Sequence, residues 1–241
     1  MIDRQMLRDY ADDYGLELDE IATEKLDTYA ALLVEWNQRM NLTAITDPEG
    51  IVLKHFVDSL TLLPHLPKEP FSLVDVGTGA GFPGLPIAIV RDDVRLTLLD
   101  SLKKRLGFLG AVCEELAISA ELVHARAEEA GQKEELRERF DVATARAVAA
   151  LPTLCEYCLP FVRQGGCFLA MKGPDCEKEL PVAKKAAEQL GGGTIEVQSL
   201  WLPARPTADR SERRILKISK ISATPPKYPR PSAKIAKQSW R

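Results

Sequence analysis

The sequence predicts an α/β fold: a mostly parallel, doubly wound seven-stranded sheet that ends in an antiparallel hairpin and is preceded by helices. Three observations predict it. Strand-like and helix-like segments alternate from residue 71 to residue 190, the pattern of a parallel sheet with helices on both faces. A glycine run, Gly77-Thr78-Gly79-Ala80-Gly81, lies between the first such strand and its helix. Segments 194–202 and 214–221 then read as two strands with no helix between them. The domain boundaries expected are a helical cap at 1–66, a sheet domain at 67–222 and a basic tail at 223–241.

The elements follow in order. Leu7, Tyr10, Ala11 and Tyr14, and then Ile21, Leu26, Tyr29, Leu32, Leu33 and Trp36, recur at helical spacing. Asp47-Pro48-Glu49 opens another helix, with a capping carboxylate, a proline in the first turn and an acid beside it. That helix carries Ile51, Val52, His55, Phe56, Ser59, Leu60 and Leu63 and is stopped by Pro64 and Pro67. The strands expected next are 71–76, 94–99, 120–124, 140–145 and 165–171. The helices expected between and after them are 83–91, 102–117, 131–138, 150–163 and 177–190. Four prolines (Pro225, Pro226, Pro229 and Pro231) mark the tail as extended.

The chain has 241 residues, 45% of them hydrophobic and 28% charged, enough for a sizeable core. No apolar run reaches the ~18–20 residues that span a bilayer, and the first residues lack a secretion signal. Five cysteines suit a reducing compartment; a cytoplasmic protein with no membrane partner, acting as a monomer, is expected. Cys155-Glu156-Tyr157-Cys158 is a C-x-x-C match with no second pair at zinc spacing, so it reads as buried thiols, and no metal is expected. Net charge is −3, but residues 201–241 hold eleven Lys and Arg against two acids. A basic end on an acidic body fits a polyanion such as the backbone of a nucleic acid.

The chemistry centres on Leu73-Val74-Asp75-Val76 and the glycine turn, followed by a second strand ending in Asp100. Glycines let the backbone turn tightly against a ligand, and an acid about 20 residues on accepts from ribose hydroxyls. Gly79-x-Gly81-x-x-Gly84 also satisfies a dinucleotide pattern, so a nicotinamide dehydrogenase competes. Asp75 within the first strand and the closing hairpin favour S-adenosyl-L-methionine and the class I methyltransferase fold. Ala127 and Glu128 follow the third strand at the edge where open α/β sheets bind ligands. Arg146 follows the fourth strand and Lys172 the fifth, suited to a carboxylate or a phosphate.

The chain resembles the bacterial RsmG methyltransferases, also called glucose-inhibited division protein B, over nearly its whole length. The resemblance rests on Trp36-Asn37 with Met40-Asn41-Leu42-Thr43-Ala44-Ile45, on Lys54-His55-Phe56-Val57-Asp58-Ser59-Leu60, and on Asp75 through Gly84. It also rests on Leu98-Leu99-Asp100-Ser101, Arg146-Ala147, Lys172-Gly173 and Glu212-Arg213-Arg214. It implies methyl transfer from S-adenosyl-L-methionine to N7 of one guanine in 16S ribosomal RNA, as small subunit or assembly intermediate. It implies cofactor contacts from Gly77, Phe82, Ala127, Glu128 and Arg146, with Ser101 and Leu102 beside Asp100, and Gly79 and Gly81 in the turn. RNA contacts are expected from His55, Lys172, Arg205, Arg210, Arg213 and Arg214, with Arg146 and Lys172 as positioning groups. A class I methyltransferase with another RNA or nucleotide substrate and a non-catalytic RNA-binding module of the same fold are the alternatives.

Overall fold

The computed structural model describes residues 1–203, 210–237 and 240. Its N-terminal layer begins with α1 (Arg4–Asp12) and α2 (Glu20–Met40), each started by an aspartate whose carboxylate caps free N–H groups of the first turn. α3 (Pro48–Ile51) starts as the sequence predicts, with the Asp47 carboxylate accepting from Gly50 N at 2.7 Å. The single helix expected onward to residue 63 is instead divided. A π-helical turn (Val52–Val57) separates α3 from α4 (Asp58–Leu60). Such widened turns recur at functional sites, and this one carries Lys54 and His55.

The sheet runs through β1 (Phe71–Val76), α5 (Gly84–Val90), β2 (Val94–Asp100), α6 (Lys103–Glu115), β3 (Ala120–His124), α7 (Ala127–Ala130) and β4 (Phe140–Arg146). It continues through α8 (Leu151–Cys158), β5 (Val162–Lys172), α9 (Leu180–Gln189), β6 (Gly192–Leu202) and β7 (Ser211–Lys220). Strand order is β3-β2-β1-β4-β5-β7-β6, parallel up to β5, with β7 antiparallel to both β5 and β6. β1 is buried along its whole length because helices cover both faces. One core lies under the N-terminal helices, α5 and α6, and joins Tyr29, Phe56 and Leu33 to Leu73 and Leu98. The other lies under α8 and α9, with Val74, Phe168 and Leu216.

Two further expectations change. The helix expected at 131–138 is a series of turns after α7. The segment is charged on every side apart from buried Leu136, so a helix there would have no apolar stripe to bury. Arg137 serves as a tie instead, donating to the carbonyls of Gly131, Tyr228 and Thr224 at 2.8 Å each.

The C-terminal segment is not an extended tail. It packs against α8, forms α10 (Ser232–Lys237) and buries Tyr228 and Ile235. The cause is Glu156, a fully buried carboxylate on α8. It accepts from Arg230 N and Nε at 2.8 Å, from the Arg230 guanidinium at 2.6 Å and from Trp240 Nε1 at 2.8 Å. Several C-terminal cations are likewise spent inside the fold. Lys220 is buried against Glu138 at 3.0 Å, and Arg214 is paired with Glu212 and Glu177.

Removing one partner of a buried ion pair leaves the other uncompensated, which costs about 3–5 kcal/mol. Glu156→Ala is expected to lose about that much in urea unfolding and to make the chain beyond residue 223 a ready protease target. An unchanged midpoint together with an uncut tail would refute this docking.

Candidate functional site

Two cavities open at the carboxyl ends of the parallel strands, where ligands of open α/β sheets bind. The first, of about 340 Å³, is lined by Gly77, Asp100, Ser101, Arg105, Ala127, Glu128, Val148 and Tyr157 among others. The second, of about 430 Å³, is lined by Ile45, Lys54, His55, Asp58, Arg146, Met171, Lys172, Gly173 and Arg213. Ala147 belongs to both walls. It holds φ at 57°, left-handed backbone that strains a residue with a Cβ.

The first cavity is shaped by the turn after β1. Gly77 has φ of 70°, and a Cβ there would come within 2.7 Å of Val148 Cγ2. Gly81, at φ 97°, has no room for a Cβ beside Tyr29 and Leu85. Asp75 braces this turn from below. It is fully buried, and its Oδ2 accepts from Thr78 Oγ1 at 2.7 Å and Gly84 N at 2.9 Å. Burial raises its carboxyl to about pKa 6, against the pull of these hydrogen bonds and of Arg146.

Asp100 ends β2 at the cavity wall. Its Oδ2 accepts from Gly79 N at 3.0 Å and from Arg105 at 3.2 Å, and its Oδ1 accepts from Leu102 N at 2.8 Å. A carboxylate offers about four lone-pair positions, so Oδ1 keeps one open. Gripping a diol with both oxygens requires Arg105 to swing aside. Glu128 is buried, and burial with the nearby Glu128 charge raises the Tyr157 phenol. This glycine cradle, with Asp100 and Glu128 facing it, fits the adenosine part of S-adenosyl-L-methionine. The strand order, with its antiparallel β7, is not the second βαβ half of a nicotinamide-binding domain.

The second cavity is basic. Asp58, buried at its base, accepts from Arg146 at 3.0 Å through Oδ2 and from Arg213 Nε at 3.1 Å through Oδ1. Arg146 also donates to Lys54 O at 3.1 Å and lies 5.1 Å from the Phe82 ring centre. Phe82 stacks on His55 at 4.4 Å and on Tyr29 at 5.3 Å. Lys172 donates to Ala149 O and Glu179, each at 3.2 Å. His55 is 7% exposed, and burial reinforced by Arg146 drives its imidazole down to about pKa 3. It is therefore neutral at physiological pH.

The expected residues thus divide between two places. Gly77, Asp100, Ser101, Ala127 and Glu128 line the first cavity, while His55, Arg146, Lys172 and Arg213 line the second. Gly79 and Leu102 reach the first through their N–H groups on Asp100. Gly81 and Phe82 pack beneath the turn instead. Arg146, expected at the cofactor, faces Asp58. Arg210 is exposed in a third hollow with Tyr14 and Trp201. Arg214, expected on an RNA-facing surface, is buried against Glu177 and Glu212. Arg205 lies outside the described residues. Sequence reasoning missed Arg105, Tyr157 and Lys54. Arg105 was the one with a signal, a cation in the first turn of the helix that follows the strand ending in Asp100. All five cysteines are buried free thiols, and burial pushes Cys155 up to about pKa 12.

Two outcomes test this geometry. Asp75→Asn keeps an oxygen for Thr78 and Gly84, and its amide can donate to Thr144, so about 1 kcal/mol or less is lost. Asp75→Ala orphans both donors and opens a cavity, for a loss of about 2–4 kcal/mol in chemical unfolding. Equal losses would refute the brace. His55 binds a proton only in the unfolded chain between its ordinary pKa and about 3, so it makes stability fall as pH falls through that window. From pH 6.5 to 5, wild type should lose up to about 2 kcal/mol more than His55→Phe, measured by urea titration at each pH.

Comparison with known proteins gives the family. The family model described as rRNA small subunit methyltransferase G matches residues 22–206. A ribosomal RNA small subunit methyltransferase G from Acetivibrio thermocellus is 48% identical over 235 residues, 97% of this chain and 95% of its own. One of the same name from Lactobacillus johnsonii is 48% identical over 90% of this chain and 91% of its own. Among solved structures, a methyltransferase from Pyrococcus furiosus superposes with a TM-score of 0.55 at 17% identity, covering 81% of this chain and 98% of its own. A predicted O-methyltransferase from Agrobacterium tumefaciens gives a TM-score of 0.54 at 18% identity, over 70% of this chain and 81% of its own. Such low identities carry the fold alone, but the family match covers most of the sequence, and the chain belongs to the rRNA small subunit methyltransferase G family.

Proposed function

We propose that this chain methylates N7 of one guanine in 16S ribosomal RNA, using S-adenosyl-L-methionine held in the first cavity and the guanine in the second. The observation that carries this reading is the meeting of the two cavities at Ala147, one glycine-cradled with the Asp100 and Glu128 carboxylates on its wall, the other basic. The family relationship supports the activity. The residue assignments rest on the geometry.

Bound S-adenosyl-L-methionine supplies a methyl group made electrophilic by its sulfonium. Asp100 and Glu128 are the acceptors for adenosine, and the turn at Gly77 lets the backbone come close. On the RNA side, Lys54 has no ion-pair or hydrogen-bond partner recorded for its ammonium among the described residues, which leaves it for phosphate. Arg146 and Arg213 are held by Asp58, so they present fixed positive charge. Guanine N7 carries a free lone pair, so no proton need be removed before attack and the residues serve to position. The site agrees: Asp58 is doubly paired, and His55 is neutral without being basic. RNA enters as small subunit or assembly intermediate, met by a cytoplasmic monomer. No described helix is long and apolar enough to cross a membrane.

The direct test is transfer of labelled methyl from S-adenosyl-L-methionine to unmodified 30S subunits and naked 16S RNA, mapped by borohydride–aniline cleavage at 7-methylguanosine. One cleavage site is expected, and no label on either RNA would overturn the reading. Asp100→Ala should weaken cofactor binding by about ten- to a hundredfold in calorimetry. With both substrates saturating, the single-turnover rate should stay flat within about twofold between about pH 7 and 9. A tenfold rise per pH unit would mean that a base takes part.

A further inference from the structure

Trp201 is an exposed ring in a chain that otherwise puts its rings away. The sequence has three Trp, five Tyr and seven Phe, all among the described residues. Of these, Trp201 alone is exposed, at 53%. A single exposed apolar side chain is ordinary on a protein surface. The position and the company of this one set it apart.

Trp201 lies one residue before the end of β6. β7 runs antiparallel to both β5 and β6, so β6 is parallel to β5 and ends at the edge where the two cavities open. In the ladder Trp201 is opposite Glu212, and Leu200 is opposite Arg213. Strand spacing and rise then put the Trp201 backbone about 6 Å from that of Arg213, which lines the second cavity.

Asp13, Tyr14, Pro203 and Arg210 line a hollow of about 490 Å³ with Trp201. Burial raises the Tyr14 phenol to about pKa 12, and the charges acting on it include Asp58 and Arg213 of the second cavity as well as Arg210. The hollow is thus beside that cavity. Arg210 is exposed and, unlike Arg213 and Arg214, has no acid partner among the described residues. The Tyr14 hydroxyl donates to the Trp201 carbonyl at 2.6 Å. This tie steadies the end of an edge strand, and it takes a carbonyl that a second chain would need for adding a strand there.

An unpaired base stacks on an exposed indole, and its phosphate pairs with an arginine. A protein interface instead centres on a contiguous apolar patch, whereas this ring has Asp13, Arg210 and Glu212 around it. Asp13 repels phosphate, so the hollow suits the uncharged base and Arg210 its phosphate. We propose that Trp201 is a stacking platform for an unpaired base that flanks the target guanine in the RNA. Holding that neighbour fixes where the chain enters the second cavity. This goes beyond the proposed function and rests on the guanine occupying that cavity.

The test measures binding of unmodified 30S subunits and of naked 16S RNA, with calorimetry of S-adenosyl-L-methionine as the check on folding. Trp201→Ala should weaken binding of both RNAs by about five- to a hundredfold and leave cofactor affinity as in wild type. Trp201→Phe keeps a ring and should recover most of the loss. Trp201→Leu keeps apolar bulk without a π face and should not. Next, reconstituted subunits carry an abasic residue at each flanking position in turn. At one position the abasic RNA should bind wild type as weakly as intact RNA binds Trp201→Ala, with no further loss when the two changes are combined. If Trp201→Ala does not fold, Trp201→Leu takes its place. Unchanged RNA affinity, recovery by leucine as full as by phenylalanine, or additive losses at every position would overturn the proposal. A loss on 30S subunits with none on naked RNA would also overturn it and would seat a small-subunit protein on Trp201. No transfer to either RNA by wild type would instead overturn the functional reading, and this inference with it.

Discussion

Asp58 is the point on which the site depends. Its carboxylate, 4% exposed, holds Arg146 from the end of β4 and Arg213 from β7, while its own backbone belongs to the N-terminal layer. Three parts of the chain, 155 residues apart at the extremes, meet on two oxygens. Two arginines on one carboxylate leave a net positive charge, so the arrangement is a weak source of stability. What it provides is position. With its guanidinium fixed, Arg146 lies over Phe82, which stacks on both His55 and Tyr29, and Tyr29 donates to the Ala80 carbonyl in the glycine turn. The wall of the basic cavity and the turn that shapes the other cavity are thus one packed unit. A shift of either cavity has to be transmitted through aromatic contacts that tolerate little displacement.

The same packing explains how far the sequence could be read. Parallel strands announce themselves as apolar runs, and glycine with a following proline marks where they turn, so β1 through β5 and the closing hairpin were legible. Asp75 was legible as an unusual acid within a buried strand, but its bonds to Thr78 and Gly84 exist only once the turn has folded back over it. Arg146 was legible as a charge at the sheet's ligand-binding edge. Its partner was not, because Asp58 lies 88 residues earlier in a helix that reads as apolar stripe. The π-helical turn at 52–57 carries no residue signature, so nothing along the chain divides that helix.

The C-terminal charges failed for a related reason. Composition counts a cation without its partner, and pairs such as Arg230 with Glu156, 74 residues apart, are invisible along the chain. Of the basic residues after position 201, Arg214, Lys220 and Arg230 are consumed by acids of the fold. The positive field that remains near the cavities comes instead from Lys54, Arg146, Lys172 and Arg213. It is set on three separate elements, β4, β5 and β7, and on the π-helical turn. On the proposed reading, polyanion binding is a property of the site's rim, and the tail acts as a strut for α8, whose Tyr157 lines the first cavity.

The helical layer's part in the chemistry follows from charge. With guanine in the second cavity as proposed, methylation at N7 leaves its ring cationic next to Arg146. Another positive charge at His55 would oppose that change, and two unit charges about 4 Å apart repel by about 4 kcal/mol at a surface-like effective dielectric of about 20. A solvated histidine would bear that charge part of the time near neutral pH. Packing His55 between the π-helical turn and Phe82 removes its water, and the neighbouring guanidinium makes protonation harder still. The layer that looks like a cap in the sequence thereby supplies a neutral imidazole beside a fixed cation. Burial, the property that makes His55 look structural, is what suits it to a position where positive charge develops.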